Sequence, residues 1–246
     1  MKQNKNLKIM KTKQFKMLAI TLVVLFGLQI NCVIAQENKE TRKVAEFDKI
    51  GLAVPANLYL TQGSKNELII EADDDLLAKI LTEVNGTGLE IRFEKWYHFK
   101  GHGKINIYIT VKDIKALGVS GSGDIIAKSA INAEKLNLEV TGSGSILIDN
   151  LSVKDVYTLV TGSGDINIKG TSKANSLNAE VTGSGDIESN IEFKNGELDI
   201  TGSGSIRANI SDDLNADITG SGSIYYKGNP VIDADITGSG KIRSGR

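Results

Sequence analysis

One short phrase, Ser/Thr-Gly-Ser-Gly-Xaa-Ile, occurs seven times in the second half of this 246-residue chain. Its copies begin at Ser120, Thr141, Thr161, Thr182, Thr201, Thr219 and Thr237. A fixed period, here about 18–21 residues, marks a solenoid, in which each repeat is one coil that cannot bury its apolar face alone. The apolar residues keep one parity through each copy. In the second they are Leu136, Leu138 and Val140 before the glycines and Ile146 and Ile148 after them. Alternation on a period of two is strand behaviour. The predicted coil is therefore strand, Gly-Ser-Gly, strand, polar turn.

The phrase supplies 14 of the 26 glycines: Gly121, Gly123, Gly142, Gly144, Gly162, Gly164, Gly183, Gly185, Gly202, Gly204, Gly220, Gly222, Gly238 and Gly240. At that regularity they are bends of a structure, not a flexible linker. A phosphate-binding loop would need a following helix, and every copy is followed by a strand pattern. Thr141 and Ser143 are expected to stack over Thr161 and Ser163, with their hydroxyls bonding between coils.

The first 35 residues read differently. Lys2, Lys5, Lys8, Lys11, Lys13 and Lys16 form a basic stretch without an acid, an apolar run spans Met17 to Leu28, and Val33-Ile34-Ala35 offers a cleavage site. This is the layout of a signal peptide over residues 1–35, cut after Ala35. The expected destination is the periplasm, the outer membrane surface or the medium. Cys32, the one cysteine, lies inside this segment, where lipidation is the alternative to removal. Without it the mature chain has no disulfide and no thiolate chemistry. It would carry 23 Lys and Arg against 30 Asp and Glu, a net charge of −7. That balance argues against nucleic acid as a partner. No later segment is apolar enough to span a membrane.

Residues 41–118 lack the repeat. Strands are predicted on both sides of Pro55 and over Glu67 to Glu71. Leu76, Leu77, Ile80, Leu81 and Val84 fall on one helical face, which predicts a helix over 73–84. Asp73 to Asp75 would cap its start and Asn85-Gly86 would stop it. Leu89–Phe93 and Ile105–Val111 read as a hairpin whose tip holds the only Trp and both His residues.

These front residues, together with Asn57-Leu58-Tyr59-Leu60-Thr61-Gln62-Gly63, Glu71-Ala72-Asp73-Asp74-Asp75 and the repeated Thr-Gly-Ser-Gly phrase, resemble the head GIN domain family. That family is described as an autotransporter adhesin domain and is also catalogued as a domain of unknown function. The resemblance covers nearly all of residues 41–243, taken as a single domain with its repeat region at 116–243. It implies an all-β, right-handed parallel β-helix (β-solenoid) of about 18–21 residues per coil. It also implies export to the bacterial envelope, and it brings no catalytic residues.

Three sets of residues are candidates for function. Trp96, Tyr97, His98, Phe99 and His102 form an aromatic, basic loop suited to contacting a surface glycan or a protein. Glu180, Asp199, Asp217 and Asp235 would stack on successive coils as an acidic ladder, a strip for Ca²⁺ or a solvated face. Asp165 and Asp186 would also be neighbours and could serve as the paired carboxylates of a carbohydrate-active enzyme. No His, Arg cluster or Ser-His-Asp arrangement accompanies them. The leading expectation is a non-enzymatic interaction module without a cofactor. The sequence sets no oligomeric state.

Overall fold

The computed structural model describes residues 38–245. The expected signal peptide and Cys32 lie outside them. The described chain is a β-solenoid of about six turns with one tiny helix. None of its helices is long and apolar enough to cross a membrane.

The repeat forms the coils as its parity requires. β8 (Ala116–Gly121), β11 (Lys135–Gly142) and β14 (Asp155–Gly162) lie side by side on one wall, all parallel. β9 (Asp124–Ala127), β12 (Ser145–Ile148) and β15 (Asp165–Ile168) do the same on the next. The short β10 (Ile131–Asn132) and β13 (Leu151–Ser152) pair on a third side. Later coils merge these segments into β16 (Lys173–Gly183), β17 (Asp186–Gly202) and β18 (Ser205–Gly220). β19 (Ser223–Lys227), β20 (Val231–Gly238) and β21 (Lys241–Ser244) complete the array. Each inward residue meets its counterpart one coil on, as Val140 meets Val160 and Ile146 meets Ile166. The core is a column of such residues, nearly all aliphatic. Thr158 is the buried exception in the column of Leu138 and Ala179, and its hydroxyl donates to the Asn178 carbonyl of the next coil.

The two glycines of the phrase are needed for different reasons. Gly142 has φ +120°, which L side chains rarely adopt, and a Cβ there would lie 2.5 Å from the Gly121 carbonyl oxygen. Gly144 has no unusual φ, but its Cβ would lie 2.7 Å from Val119 Cγ1 and closer still to the Gly123 carbonyl. The coils touch backbone to backbone at the bend. The Gly121 carbonyl accepts N–H bonds from both Ser143 (2.8 Å) and Gly144 (3.0 Å) of the following coil.

The front section has a different chain order. β2 (Lys49–Ala53) and β3 (Asn57–Gln62) lie parallel against β8 and β9. β6 (Gly88–Phe93) and β7 (Asn106–Val111) lie parallel on the other side of β2 and β3. Above them run β4 (Glu67–Ala72), antiparallel to β7, and β5 (Ile80–Asn85), antiparallel to β6. β1 (Asn38–Arg42) adds antiparallel to β4. The chain thus lays one coil, climbs to build a roof, returns beneath the roof with a second coil, and only then descends into the repeats.

Two sequence expectations are corrected here. The helix over 73–84 shrinks to α1 (Asp74–Leu77), and Asp73 makes no side-chain cap bond. Ile80, Thr82 and Val84 are β-branched and suit a strand, and β6 offers an open edge to pair with. Asn85-Gly86 is not a helix stop: Asn85 pairs with Gly88, and Gly86-Thr87 is the turn of that hairpin, with Gly86 at φ +63°. The second correction concerns β6 and β7, which are not a hairpin. They are two walls of one coil, so residues 94–105 are its corner.

Candidate functional site

The aromatic corner is built on Phe93, the last residue of β6. Tyr97 and Phe99 are half-buried against it, with ring centroids 4.9 and 5.6 Å away. The Glu94 N–H donates to the Lys79 carbonyl, and Lys79 Nζ reaches Glu94 Oε1 at 2.7 Å. That bond is the main reason the Lys79 ammonium is held above its ordinary pKa. Gly103 passes so close to Leu76 of α1 that a Cβ would lie 2.6 Å from its Cδ1. The corner is therefore fixed at both ends to the roof.

Trp96 projects from this frame. It has φ +71°, the only positive value on a described residue other than glycine, and it is 81% exposed. A bulky residue in that conformation stores strain, which persists only where the surroundings impose it. The surroundings here are the anchored Tyr97 and Phe99. Lys95 Nζ stands 5.2 Å from the Trp96 ring centroid, and His98 Nδ1 lies 3.0 Å from the Trp96 carbonyl. His98 and His102 are exposed. Of the five residues expected to make contacts, the structure sends Trp96, His98 and His102 outward and uses Tyr97 and Phe99 as footing.

The acidic ladder forms as a column. Glu139, Leu159, Glu180, Asp199, Asp217 and Asp235 stand in register on successive coils. Asn178 in the adjacent column donates to Glu197 at 2.7 Å. Partial burial raises the Asp199 carboxyl above its ordinary pKa, and the charges of Asp217, Glu197 and Glu180 add to that. Among the described residues no three His, Cys, Asp or Glu side chains converge to hold a metal ion.

Asp165 and Asp186 are neighbours in register. Their carboxylates are occupied by backbone. Asp165 Oδ1 accepts the Asp186 N–H at 3.0 Å, and Asp186 Oδ1 accepts both the N–H (2.9 Å) and the hydroxyl (2.7 Å) of Ser205. Asp124 treats Ser145 the same way. The inter-coil side-chain bonds expected of Thr141 and Ser143 are made instead by this column, one residue past the second glycine.

Sequence reasoning missed a hollow of about 330 Å³ near the last coils, lined by Glu188, Asn190, Arg207, Tyr225, Tyr226 and Lys227 among others. The Arg207 guanidinium lies 5.0 Å from the Tyr225 ring centroid and donates to Ser205 Oγ at 2.8 Å. The signal was available in the sequence. Aligning the coils on their glycines puts Glu188, Arg207, Tyr225 and Arg243 in one column.

Comparison with known proteins agrees with this architecture. The family described as "Putative auto-transporter adhesin, head GIN domain" matches residues 46–230. A crystal structure described as a "putative adhesin" from Bacteroides fragilis has a TM-score of 0.80 and 28% identity, covering 84% of this chain and 96% of that one. A "putative lipid binding protein" from Parabacteroides distasonis has a TM-score of 0.71 and 25% identity, covering 87% and 98%. A "putative adhesin" from the same species shares the fold at 20% identity and a TM-score of 0.72, covering 86% and 98%. No curated protein matches the chain.

Proposed function

We propose, because this chain belongs to the head GIN domain family of adhesin-like proteins, that it is an exported, non-enzymatic adhesion module of the cell envelope and that Trp96 makes its principal contact. The observation that carries this reading is a tryptophan held 81% exposed at φ +71° on a corner whose neighbouring rings anchor it. An exposed indole supplies a broad stacking surface with one polar handle, which suits sugar rings and protein hot spots alike. The solenoid is the rigid mount. The lysine-rich, then apolar, start of the sequence supports export. The engagement of Asp165 and Asp186 with backbone supports a structural role for those carboxylates over acid–base work.

The test is binding of the purified chain to mucin-coated and collagen-coated surfaces, with Trp96→Ala beside it. Binding that falls about thirtyfold in the variant, the size of a hot-spot loss, supports the reading. Binding indifferent to Trp96, or absent from both surfaces and from intact cells, overturns it. Protease shaving of whole cells checks the exposure that adhesion requires.

A further inference from the structure

We infer that two copies of this chain stack end to end through the coil of β20 and β21, related by a two-fold axis through the bend at Ser239. Ile232, Ala234 and Ile236 occupy the inward columns of Leu214, Ala216 and Ile218. Those three are each at most 1% exposed, whereas Ile232 is 41% and Ile236 46% exposed. Among the described residues, then, the core reaches this end without a cover. An uncovered solenoid end presents both apolar side chains and unpaired backbone, which together form a template for another strand.

The backbone alternation says which groups are free. The Lys241 N–H is bonded to Gly222 of the coil beneath, so Ile242 directs its N–H and C=O away from the array. Asn137, in the column of Asp233, likewise donates to the coil beneath, through Lys115. By the same alternation Ile232, Ala234 and Ile236 offer their backbone groups outward.

Charge selects the arrangement. β20 carries Asp233 and Asp235 on its outer side, and β21 carries Lys241 and Arg243. Laying β20 on a second β20 would extend a column of acids and set like charges against each other. A two-fold axis through Ser239, lying in the plane of the coil, instead lays β20 of one copy antiparallel on β21 of the other. Residues equally distant from Ser239 then face each other. Ile236 of the partner subunit meets Ile242, both with free backbone groups, and the partner's Asp235 meets Arg243. The pairing is isologous, so each contact occurs twice.

Sedimentation velocity on the purified full chain, over about a hundredfold dilution series, tests this directly. The expected result is a reversible monomer–dimer equilibrium. Asp235→Arg or Arg243→Asp alone should weaken the dimer about tenfold or more, because each sets like charges across the two-fold. Mixing the two single variants should restore a heterodimer, and the double variant should restore the homodimer. Both substitutions lie on an exposed coil, and circular dichroism of each variant keeps folding separate from association. A chain that stays monomeric throughout, or a dimer indifferent to both reversals, overturns the inference.

Discussion

The two ends of this solenoid solve the same problem differently. At the N-terminal end β1, β4 and β5 run antiparallel to the strands they cover. Leu68 and Ile70 of β4 and Leu76 and Leu77 of α1 close the core there. Arg42 clasps the roof, donating to the Leu77 carbonyl at 2.7 Å and the Ile80 carbonyl at 2.6 Å. At the other end β20 and β21 run parallel to the coil below, and every residue of β20 is exposed. A strand of reversed direction ends the propagation of the parallel array, whereas a strand of the same direction continues it. The difference separates an end closed by its own antiparallel strands from one at which the described residues leave the parallel array open.

Deleting equivalent apolar side chains from the two ends should have unequal costs. Ile70→Ala, at a fully buried site in the roof, should lower stability by about 2–5 kcal/mol in urea denaturation. Ile232→Ala should change it by less than about 1 kcal/mol at dilutions where the chain is monomeric. Equal losses at the two sites would mean that the last coil is covered in the free chain.

The bend glycines give a second, smaller contrast. At Gly185 a Cβ would lie 2.6 Å from Val160 Cγ1 and nearer still to the Gly164 carbonyl, with coils packed on both sides. Gly185→Ala should destabilise by about 1–3 kcal/mol. At Gly240 a Cβ would meet Ile218 Cγ2 at 2.5 Å, but the last coil has room to back away. Gly240→Ala should fall below about 1 kcal/mol and leave the melting of the rest unchanged, as nearest-neighbour coupling requires.

The smallest effect concerns the acidic column. Burial and neighbouring carboxylates raise the folded pKa of Asp199, so the folded state holds that proton more tightly than the unfolded chain does. Stability from this group is gained as pH falls through the folded value and is lost at neutral pH. Asp199→Asn should therefore stabilise at pH 7 by no more than about 1 kcal/mol, and its advantage should vanish on acidification. Thermal melts at both pH values read this directly. Destabilisation at pH 7 would show that the carboxylate is a needed acceptor.

The repeats were legible because their period and parity leave one solution. Leu136, Leu138, Val140, Ile146 and Ile148 all face inward, as the alternation required. The roof was not legible, because nothing local distinguishes it. Ile80 to Val84 carry apolar residues at spacings that suit a helix face, and only pairing with β6 makes them a strand. Asn-Gly fits a helix stop and a hairpin turn equally well until the partner strand is known. The return of β6 and β7 between the roof and β2–β3 is a long-range choice that no short window contains. At the aromatic corner the residue types were readable, but their division of labour was not. Anchoring of Tyr97 and Phe99 depends on Phe93, whose position depends on the same unexpected topology. At the Arg207–Tyr225 hollow the stacking of Arg207 on Tyr225 was readable from the glycine alignment, whereas the hollow itself depends on how side chains of successive coils pack.

The glycine carbonyl that binds the following coil at each bend has a consequence for how such a chain changes length. Gly142 lies on Gly162 and Ser145 on Asp165, so the strands before and after the bend keep one common offset to the next coil. The unequal steps between copies of the phrase are absorbed elsewhere. They fall on the third side, where the register between β17 and β18 shifts between Glu188 and Glu192 and again between Phe193 and Asn195. The bend therefore acts as a fixed ruler and the third side as slack. A tandem duplication or an insertion that spares the bend adds material without disturbing alignment, so an array of this design can be lengthened or decorated one coil at a time.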